Sequence, residues 1–265
     1  MNRTEAEKTL RLIARAWGKT QKGYVFLPYI DREEQQSTGS RRAGYHEGPD
    51  PKNPAFRWPA EKERIVDYML QHQDHDLYWC PSIFEYPWRR EDVAGDEHAL
   101  WADLDNVDPN LIRDYPPTMA WESSPGRYQA IWLAASGDFQ GASWPGNENQ
   151  KLTYHLGADR SGWDTVQLLR IPGWKNHKPE YLEQYGKAPQ GKLLWSHGQT
   201  YIAGDFRELP GISDLGAGIE LTQALENEIS SLDRAAILAK IRLDLSPRIR
   251  EMLSAKESSG DRSNA

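Results

Sequence analysis

Cysteine is almost missing from this chain. Cys80 stands alone among 265 residues, so neither an internal disulfide nor a Cys-based zinc cluster can form, and a reducing, cytoplasmic setting is the expectation. Long apolar runs are missing as well. Hydrophobic residues are 38% of the chain, mean hydropathy is −0.78, and no window approaches the roughly 18 apolar residues of a membrane span. The opening MNRTEAEKTLRLIARAW mixes acids with bases and has no apolar core, so it does not read as a secretory signal. A basic excess is absent too. The net charge is −7, which speaks against a general nucleic-acid coat but leaves room for a local basic track. No Gly-x-x-x-x-Gly-Lys-Ser/Thr loop occurs, which excludes a P-loop motor, and no His-x-His pair occurs. Phenylalanine is scarce: five Phe stand against 11 Trp and 12 Tyr. That balance favours amphipathic aromatics at a groove or core edge.

What is present is arranged unevenly. Residues 92–122 hold eight acids and one base, Arg113, whereas residues 160–192 hold six bases and three acids. An acidic stretch followed by a basic one suits a metal site beside a phosphate site, although two solvated faces would look the same. Leu10, Ile13, Ala14 and Trp17 recur at helical spacing, so 4–17 predicts a helix. GYVFLPYI from Gly23 predicts a strand, and the polar stretch Asp31–Pro54 a long loop. A helix is expected over 60–72 and strands over 76–84 and His98–Leu104. Strands at 118–123 and 127–134 are joined by Ser-Pro-Gly, a hairpin signal. A helix over 147–156 and strand within Gly191–Ile202 complete an α+β plan over residues 1–205. Residues 206–255 predict a helical extension and 256–265 a disordered tail.

Three stretches carry chemistry. In ALWADLDNVDP (99–109), an apolar strand ends in Asp103-Leu104-Asp105. Residues i and i+2 of a strand share a face, so two carboxylates project together, and a hard cation such as Mg²⁺ or Mn²⁺ would keep both ionised. A second Asp-x-Asp, Asp74-His75-Asp76, reads as an exposed helix-to-strand loop. In ESSPGRYQAIW (122–132), a tight turn offers Ser124, backbone N–H groups and Arg127 to a phosphate. In GADRSGWDTVQLLRIPGWKNHK (157–178), Asp164 can add a third carboxylate, and Arg170, Lys175 and Lys178 can offset phosphate charge, with Asn176 and His177 beside them. Each of these last two stretches also has a bland reading, an ordinary hairpin turn and a solvated loop. Trp88, Trp163, Trp174 and Trp195 are either core-edge residues or surfaces on which bases could stack.

In order and spacing, these three stretches resemble the archaeo-eukaryotic primase superfamily, and within it the RepB-like primases and primase–polymerases of plasmids and phages. The resemblance covers roughly residues 20–205. It rests on Asp103 and Asp105, on Ser124 to Gln129, and on Asp164, Arg170, Pro172, Gly173, Asn176 and Lys178. It implies a catalytic domain built on an RRM-like sheet that makes or extends primers on a single-stranded DNA template from nucleoside triphosphates. Carried over, Asp103, Asp105 and Asp164 would hold Mg²⁺ or Mn²⁺, with Asp159 a rival to Asp164. Ser124, Arg127, Gln129, Arg170, Asn176, His177 and Lys178 would meet the nucleotide or template. Gln129 stands where the family usually has a histidine, and it cannot carry positive charge. Any helicase would be a separate protein. Two rivals share some of these features: a catalytically inactive, primase-like DNA-binding replication protein, and a glycosyltransferase that uses Asp-x-Asp to hold Mn²⁺ and a nucleotide sugar.

Overall fold

In the computed structural model, Met1–Ile212 form one compact unit. The residues described are 1–18, 22–40, 42–95, 98–135, 148–206 and 209. The expected extension beyond Phe206 and the tail 256–265 therefore lie outside the described residues, apart from Leu209.

The elements run in chain order as follows: α1 (Arg3–Ile13), β1 (Gly23–Val25), β2 (Tyr29–Ile30), α2 (Arg32–Thr38), β3 (Tyr45–His46), β4 (Phe56–Trp58), α3 (Lys62–Gln71) and β5 (Asp76–Trp79). Then come β6 (Ala99–Asp105), β7 (Met119–Ser124), β8 (Arg127–Leu133), α4 (Glu148–Leu156), β9 (Leu169–Arg170), α5 (Pro179–Tyr185) and β10 (Lys192–Ser196). One antiparallel sheet has the order β10-β7-β8-β6. A second has the order β3-β2-β5-β9, and β1 pairs with β4 alone. The α+β architecture is as expected. No helix among the described residues is long and apolar enough to cross a membrane.

The first sheet is buried on both faces. Along β6, Ala99 and Trp101 enter one core while Leu100, Ala102 and Leu104 enter the other. On β8, Ile131 and Leu133 join the first core, and Ala130 and Trp132 the second. This two-sided burial is why the stretch reads as a continuous apolar run rather than an alternation. Trp101, Trp121 and Trp132 are fully buried, and truncating any of them to alanine should cost about 3–5 kcal/mol. Helix α1 supplies Ala6, Leu10 and Ile13 to the first core. Its start is fixed by a capping box between Asn2 and Glu5.

Three expectations are corrected. The stretch Asp31–Pro54 is not a plain loop, because Asp31 caps α2 by accepting from the N–H groups of Glu33 and Glu34. Acids in its first turn suit the helix dipole, and Gly39 at φ +67° ends it. The strand begun at Gly23 is broken into β1 and β2, and the strand begun at Asp76 stops at Trp79, with Pro81 two residues on.

Candidate active site

Asp103 sits at the end of β6, where its apolar partners give out, and it lies opposite Gln129 on β8. The pairing then slips: Asp105 is opposite Tyr128, so Leu104 is the extra residue of a bulge. Asp105 takes a left-handed φ of +51°, a region that aspartate tolerates better than most residues. Strict alternation therefore ends at Leu104, and the two acids meet different surroundings. Asp105 is half exposed and pairs with Arg127, Nη1 to Oδ1 2.9 Å. Asp103 is largely buried. Desolvation, then the Asp105 charge, pushes its carboxyl up to about 6, with Asp159 adding to the effect. Two groups work against that rise: Gln129 and the Asp105 backbone N–H each donate a hydrogen bond to the Asp103 carboxylate.

Gln129 is itself buried, and its Oε1 accepts from the N–H of Arg170 at 2.9 Å. Both ends of the amide are thus used inside the protein, one on Asp103 and one on the backbone of the second sheet. The Trp121 indole N–H donates to the Arg170 carbonyl at 3.1 Å. The two sheets are tied together at this one residue.

The Arg170 side chain is also committed internally. It is buried, Nη1 donates to Asp76 Oδ1 at 2.8 Å, Nη2 donates to the Tyr78 hydroxyl at 2.7 Å, and its guanidinium lies 4.7 Å from the Tyr78 ring centre. Asp76 is the hub. It is fully buried at the start of β5, and it also accepts from Arg32 Nε at 2.6 Å and from the His177 N–H at 2.6 Å. Burial alone would raise its pKa; Arg170, then Arg32 and the His177 N–H, outweigh that and hold it below the ordinary carboxylate value. The reading of Asp74–Asp76 as an exposed loop is therefore wrong at Asp76. His72, the C-cap of α3, is buried as well: its ring stacks on Tyr29 at 4.0 Å, and burial, then His75 and His46, lowers its pKa to about 4. No sequence signal marks Asp76, since the cations that make its burial tolerable come from positions 32 and 170.

The remaining predicted residues fall into two groups. Ser124 is buried and donates to the Tyr181 hydroxyl of α5 at 3.0 Å. Asn176 is buried and uses Oδ1 to accept the Lys178 N–H. His177 is half-buried; burial lowers its pKa, and its Nε2 has no hydrogen-bond partner. Exposed cations remain at Arg127, at the hairpin tip, and at Lys178, the N-cap of α5, whose Nζ is 3.9 Å from Glu180. The hairpin turn itself is set by Pro125 and by Gly126 at φ +70°, whose N–H donates to Glu122 at 2.8 Å.

The two candidates for a third carboxylate separate. The Asp159 N–H donates to the Asp103 carbonyl at 2.8 Å, and Gly162 lies so close that a Cβ there would be 3.5 Å from the Cβ of Asp103. Asp164 instead accepts from the Val166 N–H at 3.1 Å. Burial, followed by the charge of Glu91, raises its pKa, and Arg89 lowers it. Among the described residues no group of three His, Cys, Asp or Glu side chains is arranged to hold a metal ion. The set Asp103, Asp105 and Asp164 is not assembled as a ready cage. The oxygen-only pair at 103 and 105, one member underprovided with positive charge, fits a hard cation completed by substrate phosphates and water.

Residues 87–204, which span the sheet bearing these acids, match the family model of the RepB DNA-primase N-terminal domain. The match covers 118 of the 265 residues. The carboxylate pair, the hairpin and the basic string all fall within it, whereas the Arg32 and Asp76 side of the hub lies before it. A DNA primase of Acidithiobacillus ferrooxidans is 28% identical over 141 residues, which is 51% of this chain and 37% of that protein. The matched stretch thus spans well under half the length of that curated relative. Similar solved structures include primase RepB′ (18% identity, 89% of this chain and 76% of that one, TM-score 0.44). Its catalytic domain in complex with initiator DNA is another (19%, 82% and 97%, 0.45). A third is the AEP domain of the cyanophage S-2L primase–polymerase (15%, 79% and 98%, 0.48).

Proposed function

We propose that this chain is a DNA primase or primase–polymerase that joins nucleotides on a single-stranded DNA template, in replication of a plasmid or phage. The observation that carries the reading is the acid pair at the end of β6, Asp103 short of cations and Asp105 beside it, inside the stretch that matches the RepB DNA-primase domain. Asp103 and Asp105 would hold Mg²⁺ or Mn²⁺ together with the substrate's phosphates, and Asp159 is the nearer candidate for a third oxygen ligand. When bound, the cation lowers the pKa of the attacking 3′-hydroxyl and bears charge on the departing pyrophosphate.

The chain's own residues do the positioning. Gln129 fixes the Asp103 carboxylate by donating to it while its other end is anchored on Arg170. Arg127 can exchange its exposed Asp105 partner for a phosphate oxygen, and Lys178 can meet the triphosphate from the start of α5. Arg170 serves from behind, by holding the backbone that Gln129 grips. This departs from the expected direct contact of Gln129 and Arg170 with nucleotide.

The test is primer synthesis and extension on single-stranded DNA with labelled ribo- and deoxynucleotides, under Mg²⁺ or Mn²⁺, with Asp103→Ala/Asp105→Ala as control. Product from the wild type and none from the double variant is expected. Product that survives the double substitution overturns the assigned site. Tight DNA binding without product, with or without an added helicase, would favour the inactive DNA-binding reading.

A further inference from the structure

Of the four tryptophans singled out in the sequence, Trp174 is buried in the core and Trp195 is half-buried with its indole N–H on the Pro117 carbonyl. Trp163 is also partly buried. Trp88 is different. It is 47% exposed, and it stacks on Tyr86, itself 50% exposed, with the ring centres 5.6 Å apart and the planes 4° from parallel. Two large rings held parallel in water leave open π-faces that the fold does not use.

The loop that presents them is held firmly on both sides. Glu85 N–H donates to the Val93 carbonyl at 3.0 Å and Gly95 N–H to the Ile83 carbonyl at 2.8 Å. Directly after Trp88, Arg89 reaches inward to Glu47 at 2.5 Å, to the Tyr45 hydroxyl at 3.1 Å and to the Val166 carbonyl. Through Val166 the loop reaches Asp164, and through Gly162 and Asp159 the same segment lies against Asp103. The rings therefore stand on a braced support one short segment away from the carboxylates. Of the cations beside them, Arg89 is committed inward to Glu47, and Arg90 pairs with Asp92 at the surface. A ligand gripped here is held by its flat face rather than by its phosphates.

We infer that Tyr86 and Trp88 form a stacking platform for a base of the single DNA strand that passes the Asp103–Asp105 site. The inference rests on the reading of the chain as a primase, because that reading supplies the strand. Base stacking on an aromatic side chain contributes on the order of 1–3 kcal/mol per base and tolerates any sequence. An ionic grip would instead make affinity fall steeply with salt.

The experiment measures binding of a fluorescein-labelled oligothymidylate to the full chain by anisotropy over a range of salt concentrations. Trp88→Ala should weaken binding about tenfold or more with an unchanged salt slope, Tyr86→Ala should weaken it less, and Trp88→Phe should retain most of the affinity. An abasic oligonucleotide of the same length should bind wild type and Trp88→Ala equally. Wild-type affinity in Trp88→Ala, an equal loss on the abasic strand, or a wild type that binds neither strand overturns the platform. Binding that depends on Trp88 without any nucleotide incorporation overturns the polymerase reading and leaves the platform standing. Template-dependent synthesis with unaltered binding in Trp88→Ala does the reverse.

Discussion

Each of the two sheets holds an aspartate largely withdrawn from water, fully so at Asp76 and partly at Asp103, and the two are treated in opposite ways. In the sheet of β5, Asp76 has two arginines and a backbone N–H on its two oxygens, and its pKa is held down. In the sheet of β6, Asp103 has a neutral amide, the Asp105 N–H and two further acids for company, with no cation, and its pKa rises to about 6. Both sit in an Asp-x-Asp pattern. A carboxylate that the fold has already neutralised is part of the framework. One that the fold leaves short of positive charge has capacity for a cation from outside. Gln129 and Arg170 join the two, so the satisfied acid braces the unsatisfied one.

The largest effect should come from breaking the β6 side. Asp103→Ala should lower primer extension by about three orders of magnitude or more, equivalent to ~4 kcal/mol of barrier, with the circular dichroism spectrum and thermal midpoint intact. Breaking the β5 side should show the reverse ranking. Asp76→Ala strands the buried Arg170 and the partly buried Arg32 and should cost about 3–5 kcal/mol in urea unfolding, with activity lost only as the fold is lost. The double replacement Asp76→Leu/Arg170→Met removes both charges, and should be less destabilising than Asp76→Ala alone.

A pH series sharpens the contrast. The folded pKa of Asp76 lies below its unfolded value, so its contribution is complete above about pH 4 and is lost as pH falls through the folded value. The folded pKa of Asp103 lies above its unfolded value, so ionised Asp103 opposes folding above pH 6, and the cost fades toward pH 4. In chelator, Asp103→Asn should therefore stabilise the protein at pH 7 by on the order of 1–3 kcal/mol and give no gain near pH 4. Asp76→Asn should destabilise at pH 7, and its deficit should shrink only below pH 4. Equal pH profiles for the two variants would erase the distinction. The smallest expected effect is that of Gln129→Leu, which leaves the Arg170 N–H unpaired and should cost about 1–2 kcal/mol. Its kcat for nucleotide incorporation should fall with little change in nucleotide KM. A rise in KM alone would restore Gln129 to direct nucleotide contact.

Much of the sheet around Asp103 could be read from the sequence, because its signals are local. The apolar run 99–104 demands a strand buried on two sides, and Ser-Pro-Gly demands the turn between β7 and β8. The bulge at Leu104 leaves no such trace, since nothing in Asp-Leu-Asp distinguishes a slipped register from a regular one. Helix α2 was hidden for another reason: it buries no residue, so it lacks an apolar stripe and depends on its Asp31 cap. The roles of Asp76, Gln129 and Arg170 were hidden because each is defined by a partner more than 40 residues away. Basic residues in a Pro-Gly string look alike in sequence, yet Arg170 is buried and Lys178 is not.

The Asp76 hub also has a bearing on how the chain is made. Its three partners lie 44, 94 and 101 residues away, one upstream and two downstream. At a synthesis rate of roughly 5–20 residues per second, the interval between emergence of Asp76 and of His177 is on the order of 5–20 s. Until Arg170 follows, 94 residues after Asp76 and close to the end of that time, the carboxylate has at most Arg32 beside it, and burying it would be strongly unfavourable. The early half of the protein therefore waits, open at β5, until the later half leaves the ribosome and closes it.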